Sequence, residues 1–317
     1  MFTRMLLPLD GTKRAEDALP VARELALETN ARVLLLHVSA PNAATLQELA
    51  ISHQVEVAAN ELDAAGVSAQ VLTAGGGGTQ GVANAISTVV DRNEIDLIIL
   101  SPEAHSLLDG LRHPSVTAQV LAQSAAPVLI VPMATRGHAP RAAQPKLLEY
   151  SDTQVIVPLD GSPLAERALP MALRLARQYK RSLVLVRALP PVQPLATGFE
   201  TYALTRDAAD NDLRVAREYL GAVRARLQKT EHVDVHTMML EGIPAEALLA
   251  LTESKPGSVV VMSTHGRTGL ARLLLGSVTL AVARKTTIPL MIVPTLVRDT
   301  IEVTQLKPEG AKGAVIR

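Results

Sequence analysis

The residues of this chain best suited to chemistry lie between positions 263 and 279. They read Ser263-Thr264-His265-Gly266-Arg267-Thr268-Gly269-Leu270, then 271–275, then Gly276-Ser277-Val278-Thr279 ahead of an apolar helical stretch. Gly266 and Gly276 remove Cβ atoms where an anion has to approach backbone amides, and Gly276-Ser277 stands where a helix begins, whose free N–H groups favour negative charge. Ser277 and Thr279 can add hydroxyl donors. Arg267 and Arg272 give positions 263–279 a formal charge of +2, which suits a polyphosphate. The plainer alternative is that Gly266 and Gly269 only shape a loop and Ser277 only caps a helix. His265 reads as a hydrogen-bonding neighbour of such a site, because no second histidine or carboxylate forms a dyad with it.

The elements that must position this segment follow from an internal repeat. Pro8-Leu9-Asp10-Gly11-Thr12 returns as Pro158-Leu159-Asp160-Gly161-Ser162, and the agreement continues through Ala15-Glu16 and Ala18-Leu19-Pro20 at a constant offset of 150. Residues 126–132 return as 288–294 at an offset of 162, so the second copy carries about twelve extra residues. Each copy opens with an apolar strand ending at the Asp-Gly turn, followed by a helical period and four more strands. These are expected at 33–38, 69–73, 97–100 and 128–131, and again at 183–186, 235–240, 259–262 and 290–293. Unbroken Val/Ile/Leu runs indicate strands buried on both faces. The expected fold is α/β: two tandem Rossmann-like domains, each a five-stranded parallel sheet with helices on both faces. The domains are expected at 1–134 and 152–296, with a proline-containing linker at 135–151 and a polar tail at 297–317. The last strand of each copy would otherwise be an exposed apolar edge, so the two are expected to pair across an approximate twofold axis as an intramolecular pseudo-dimer.

A loop leaving the carboxyl end of a parallel strand lies where open α/β sheets bind ligands, and Asp160, ending the first strand of its copy, faces the same crevice. The segment from Ser263 to Ser277 resembles the ATP-binding signature of the universal stress protein family, written G-x-x-G, nine residues, then G-S or G-T. Nine residues separate Gly266 from Gly276, while Ser263 stands where the family has its first glycine. The Pro-Leu-Asp-Gly turn and the closing Pro-x-x-Ile-Val-Pro strand resemble the same family, over nearly the whole chain, twice. The resemblance implies an adenine nucleotide α-hydrolase-like fold and an ATP held by Pro158, Leu159, Asp160, Met262, Ser263, His265, Gly266, Arg267, Gly269, Gly276, Ser277, Val278 and Thr279. Asp160 would touch the adenosine end, and magnesium is implied only by the ATP. By analogy the function is nucleotide-dependent stress-response regulation through a protein partner that the sequence does not identify. The alternatives are an adaptor of the same fold without ligand, and a slow ATPase or autophosphorylating protein using Ser277 or Thr279. No assembled general base supports turnover.

The first copy departs where it matters. Ser101-Pro102-Glu103-Ala104 replaces Ser263-Thr264-His265-Gly266, and Pro114-Ser115 replaces Gly276-Ser277, so both glycines are lost and the segment's charge becomes −1. Asp10 and Ser115 therefore read as shared scaffold. Gly76-Gly77-Gly78-Thr79-Gln80-Gly81 satisfies G-x-G-x-x-G, but it follows the third strand rather than the first, and Asp96 precedes the next strand instead of ending it. It reads as a turn.

Composition narrows the classes. A chain of 317 residues with 48% apolar content can bury two cores, and its apolar runs stop short of a membrane span. Thirty-one basic against thirty-one acidic residues and six aromatics argue against nucleic acid as partner. Zero cysteines exclude disulfides and thiolate chemistry and fit a reducing compartment. With no export signal legible, the cytoplasm is the expected location. Whether two chains form a homodimer is not legible.

Overall fold

Period-two alternation within the apolar runs sends successive side chains to opposite faces of one sheet. In the computed structural model, which describes residues 2–39, 45–101, 115–132, 153–190, 199–264 and 276–294, Met5 and Leu7 enter one core cluster while Leu6 enters another. The strands of the first copy are β1 (Arg4–Pro8), β2 (Arg32–Ser39), β3 (Ala69–Gly75), β4 (Leu97–Leu100) and β5 (Val128–Ile130). Those of the second are β6 (Gln154–Pro158), β7 (Ser182–Leu189), β8 (Val235–Glu241), β9 (Val259–Ser263) and β10 (Leu290–Val293). All ten form a single sheet in the order β3-β2-β1-β4-β5-β10-β9-β6-β7-β8. Every neighbouring pair is parallel except β5 with β10, which run antiparallel, with Met291 opposite Leu129. The expected pairing of the two final strands is therefore present, and the two expected sheets are halves of one.

Among the described residues ten helices cover both faces. Short α1 (Lys13–Glu16), α2 (Leu19–Thr29) and α3 (Leu46–Ala64) recur as α6 (Pro163–Glu166), α7 (Leu169–Tyr179) and α8 (Phe199–Glu231). On the other face α4 (Gly78–Arg92) and α5 (Val116–Gln123) recur as α9 (Pro244–Ser254) and α10 (Ser277–Lys285). Val21, Val55, Leu175 and Leu220 pack into one cluster, and Ile86, Val120, Leu248 and Val282 into the other. Each cluster runs through both copies.

The length difference between the copies proves to be two changes rather than one. Strands β2 and β7 are offset by 150, β3 and β8 by 166, and β4 and β9 by 162. Sixteen residues are thus added in the crossover containing α8, which has 33 residues against 19 in α3, and four are removed in the one containing α9. The outermost strands β3 and β8 are only partly buried, as edges are, whereas β4 and β9 are buried throughout. Positions 135–151 and 297–317, expected as linker and tail, lie outside the described residues. Among the described residues no helix is long and apolar enough to cross a membrane.

In each half the order 3-2-1-4-5 reverses direction between the first and fourth strands. Connections leaving these two strands diverge, and a crevice opens at their carboxyl ends. In the second copy those ends carry Asp160 and Ser263.

Candidate functional site

Three pieces of chain converge on the crevice between β6 and β9. The first is the turn after β6. The Leu159 N–H donates to the Val186 carbonyl at 2.7 Å, and Asp160 Oδ1 accepts the Ser162 N–H at 2.9 Å, so the carboxylate is clamped at the strand end. Ser162 then caps α6 by accepting the Ala165 N–H at 3.1 Å.

The second piece is the end of β9. The Thr264 N–H donates to the Val293 carbonyl at 3.1 Å, and the Gly276 N–H donates to the Thr264 carbonyl at 2.8 Å. This bond brings 264 and 276 together beside the end of β9. His265, Gly266, Arg267 and Gly269, expected to touch the ligand, lie within 265–275, outside the described residues.

The third piece is the start of α10. Gly276 is the N-cap at φ −56° and ψ 141°, a conformation open to any residue, so what its missing side chain provides is space. Among the described residues no side chain caps this helix. Ser277 is the first helical residue and lines the cavity, so the reading of it as a mere cap does not hold. Thr279 is buried and donates its hydroxyl to the Ser263 carbonyl at 3.1 Å, which commits that proton to holding the helix against β9.

Together these pieces bound a cavity of about 340 Å³, within the range of small-molecule sites. Pro158, Leu159, Asp160, Met262, Ser263, Gly276, Ser277, Val278 and Thr279 all line it. Sequence reasoning missed the remaining wall: Ala165 of α6, Val186 to Pro190 along and beyond β7, and Pro244 and Leu248 of α9. The wall is apolar toward Leu189, Pro244 and Leu248, and polar toward Asp160 and the α10 terminus. One signal was available, since Arg187 is the single charge in the strand 182–189 and interrupts its apolar run.

Arg187 is 8% exposed and its guanidinium carbon lies 5.6 Å from the centre of the Tyr219 ring, a cation–π contact. The Tyr219 hydroxyl donates to Glu166 Oε1 at 2.9 Å, and Arg226 donates to Glu166 Oε2 at 2.5 Å. Burial raises the Tyr219 phenol above its ordinary range. Its hydrogen bond to Glu166 and the charges of Glu166 and Asp160 act the same way, and Arg226 opposes them.

The first copy uses equivalent positions differently. Asp10 Oδ1 accepts both the Thr12 N–H at 2.9 Å and the Thr12 hydroxyl at 2.6 Å. His37, the counterpart of Arg187, is buried with Nε2 at 2.7 Å from Glu48 on the first turn of α3. That helix leans over the Asp-Gly turn so closely that a Cβ on Gly11, at φ +78°, would stand 2.6 Å from Ile51. Ser115 accepts the Ala118 N–H at 3.1 Å as a true N-cap of α5. Residues 102–114, including Glu103, Ala104 and Pro114, lie outside the described residues. The glycine-rich run at 76–81 packs on itself, a Cβ at Gly76 falling 2.9 Å from the Gly81 carbonyl, and Asp96 binds the Thr3 and Arg4 amides at the opposite, amino end of the strands. Neither forms a dinucleotide site.

Comparison with known proteins accords with this architecture. A universal stress protein of Methanocaldococcus jannaschii is 30% identical over 143 residues, covering 44% of this chain and 81% of that protein. One from Mycobacterium bovis is 26% identical over 209 residues, and the match covers 65% of either chain. In fold, the crystal structure of a universal stress protein from Archaeoglobus fulgidus superposes with a TM-score of 0.62 at 21% identity, over 92% of this chain and 96% of that one. The profile of the universal stress protein family matches residues 1–132 and again 153–294, nearly the whole described chain, and the protein belongs to that family in tandem form.

Proposed function

We propose that the protein binds one adenine nucleotide, ATP, in its second copy and acts as a nucleotide-dependent regulator in a stress response. One observation carries this reading: the clamped Asp160, the β9 end and the uncapped start of α10 border the same cavity, whereas the first copy uses the matching serine as a helix cap. The α10 terminus suits the phosphates, since among the described residues no side chain caps its N–H groups and Gly276 leaves room for close approach. Asp160 suits a sugar hydroxyl, and the apolar wall of Leu189, Pro244 and Leu248 suits a flat base. Magnesium enters only as the ion that ATP carries. His265, Gly266, Arg267 and Gly269 complete the proposed phosphate loop.

The chain has no tryptophan and four tyrosines, so a co-purifying nucleotide would dominate its ultraviolet spectrum near 260 nm. Heat-released ligand identified by chromatography, followed by titration calorimetry with ATP and magnesium, tests the proposal. A stoichiometry of one is expected. No binding at all would leave an adaptor of the same fold, and measurable phosphate release lost with Ser277→Ala would indicate an enzyme.

A further inference from the structure

The helical layer on one face of the sheet is divided in charge. α3 packs on β2 and β3, α2 on β1 and β2, α7 on β6 and β7, and α8 on β7 and β8, so the row reads α3-α2-α7-α8. α3 carries Glu48, Glu56, Glu61 and Asp63 and no basic residue. Its counterpart within α8 is 211–229, fixed by the buried pairs Val55 and Leu220, Ala58 and Val223, and Leu62 and Leu227 at one offset of 165. That stretch has five basic residues against Asp212 and Glu218, a formal +3. α2 contributes −1 and α7 +2, so the two halves of the layer stand at −5 and +5. The chain's formal net charge of 0 conceals this separation.

Both outermost helices also turn a distinctive face to solvent. Leu46, Ala50, Val57 and Ala64 recur at intervals of four and seven on the side of α3 opposite its buried residues, and all are exposed. Leu46 and the neighbouring Leu49 are 87% and 65% exposed. Apolar side chains gathered in this way mark a contact surface. Glu56 and Glu61 flank the stripe. On α8 the outward positions are small, Gly221, Ala222 and Ala225, with exposed Arg217 and Arg224 beside them. Gly221 lies mid-helix, and a Cβ built there meets nothing within 4 Å. Glycine is the poorest helix former after proline, and no neighbour among the described residues requires it here. Close approach of a second helix supplies the reason.

The antiparallel β5–β10 pair relates the halves by an approximate twofold perpendicular to the sheet, exchanging α3 with α8 and α2 with α7. Two such layers can meet face to face about a second twofold in two ways. With that axis across the strands, α3 meets α3 and α8 meets α8, like charge on like. With the axis along the strands, α3 meets the partner's α8 and α2 the partner's α7, twice over, and each helix faces one of opposite sign. The second arrangement closes on itself as an isologous dimer. Helices of these lengths, each about 10 Å across, would cover roughly 900 Å² on each chain, comparable with the roughly 800 Å² per partner of a standard stable interface.

We infer that this helical face is a self-association surface: two chains join through it, the acidic, leucine-bearing α3 of each seated on the basic, small-residue stretch of the other's α8. The inference does not rest on the nucleotide reading.

Sedimentation of the full chain from about 1 to 100 µM should show a reversible monomer–dimer equilibrium. Raising NaCl from about 0.1 to 1 M, which shortens the screening length from about 10 to 3 Å, should weaken it about tenfold. Glu56→Lys with Glu61→Lys on α3, and Arg217→Glu with Arg224→Glu on α8, should each leave only monomer. Mixed in equal amounts, the two variants should form a heterodimer, because both helix contacts then regain opposite charge. Should either reversed variant fail to fold, two milder changes decide. Leu49→Asn should weaken the dimer about tenfold or more without lowering thermal stability, and Gly221→Leu should abolish the dimer while keeping or raising thermal stability. A chain that stays monomeric to about 100 µM would overturn the inference, as would a dimer that survives both reversed variants, or folded reversed variants that do not pair when mixed. Capture of a different protein by a chain that remains monomeric would overturn it equally.

Discussion

Leu129 and Met291 stand directly opposite each other in the β5–β10 pair, and each is the other's counterpart under the 162-residue offset. Ile130 opposite Leu290 and Val128 opposite Ile292 are arranged symmetrically about them, so the pseudo-twofold axis passes between Leu129 and Met291. Both side chains are 0% exposed and belong to the core cluster shared by the two copies. Leu129→Ala and Met291→Ala should each cost about 2–5 kcal/mol, and the double variant should fall short of the sum because the two share a cavity. Urea denaturation followed by circular dichroism should show one transition for the whole chain. Two separated transitions would contradict a shared core.

The equivalent serines give a crossed prediction. Ser115→Ala removes a cap and should cost about 1 kcal/mol of stability without affecting nucleotide affinity. Ser277→Ala removes no cap and should leave stability nearly unchanged while weakening ATP by about three- to tenfold. Thermal melting and calorimetry on both variants check it, and matching effects at the two positions would refute the division of roles.

Gly276→Val tests the room at the start of α10. The backbone angles there accept valine, so the fold should survive with a loss of about 1 kcal/mol, while ATP affinity should drop on the order of a hundredfold. Calorimetry that finds unchanged affinity would place the phosphates elsewhere.

Alkaline titration examines the buried phenols. Tyr219 and Tyr179 both titrate above the ordinary phenol range, each chiefly through burial; Glu166 reinforces the effect for Tyr219, and Glu28, with Glu24, does so for Tyr179. In the folded state these groups hold their protons at a pH where unfolded phenols, with pKa near about 10, lose theirs. Between those two values the unfolded chain binds fewer protons, so stability is fully present below about pH 10 and declines as pH rises further. Phenolate absorbance near 295 nm should show these two tyrosines ionising only with unfolding. Since Tyr179 lies in the second copy and Glu24 and Glu28 in the first, Tyr179→Phe should weaken this dependence at the junction of the copies. A reversible titration of all tyrosines near pH 10 in the folded protein would refute it.

Much of this molecule was legible in its residues. The Asp-Gly turn recurring at 10 and 160 located both first strands, and the unbroken runs at 97–100 and 259–262 located the buried centre of the sheet, because burial on both faces leaves no polar alternation. The far wall of the site was less legible. Leu189, Pro244 and Leu248 carry no chemistry of their own and become a pocket only through strand order, which local sequence does not encode. Arg187 was visible as a charge in an apolar strand, yet its meaning depends on Tyr219, 32 positions away on a helix whose register no short motif sets. The two-part length difference escaped for a similar reason: sixteen residues gained and four lost leave the net twelve seen from the flanking strands.

The antiparallel junction of β5 and β10 has a consequence for access. Strands that reverse direction at the midline deliver their carboxyl ends to opposite rims of the sheet, so the Asp10 turn and the Asp160 turn look away from each other. Traffic at one rim does not obstruct the other. A macromolecule seated over the first-copy crevice would leave the mouth of the second-copy cavity clear, and the molecule is in that sense double-ended.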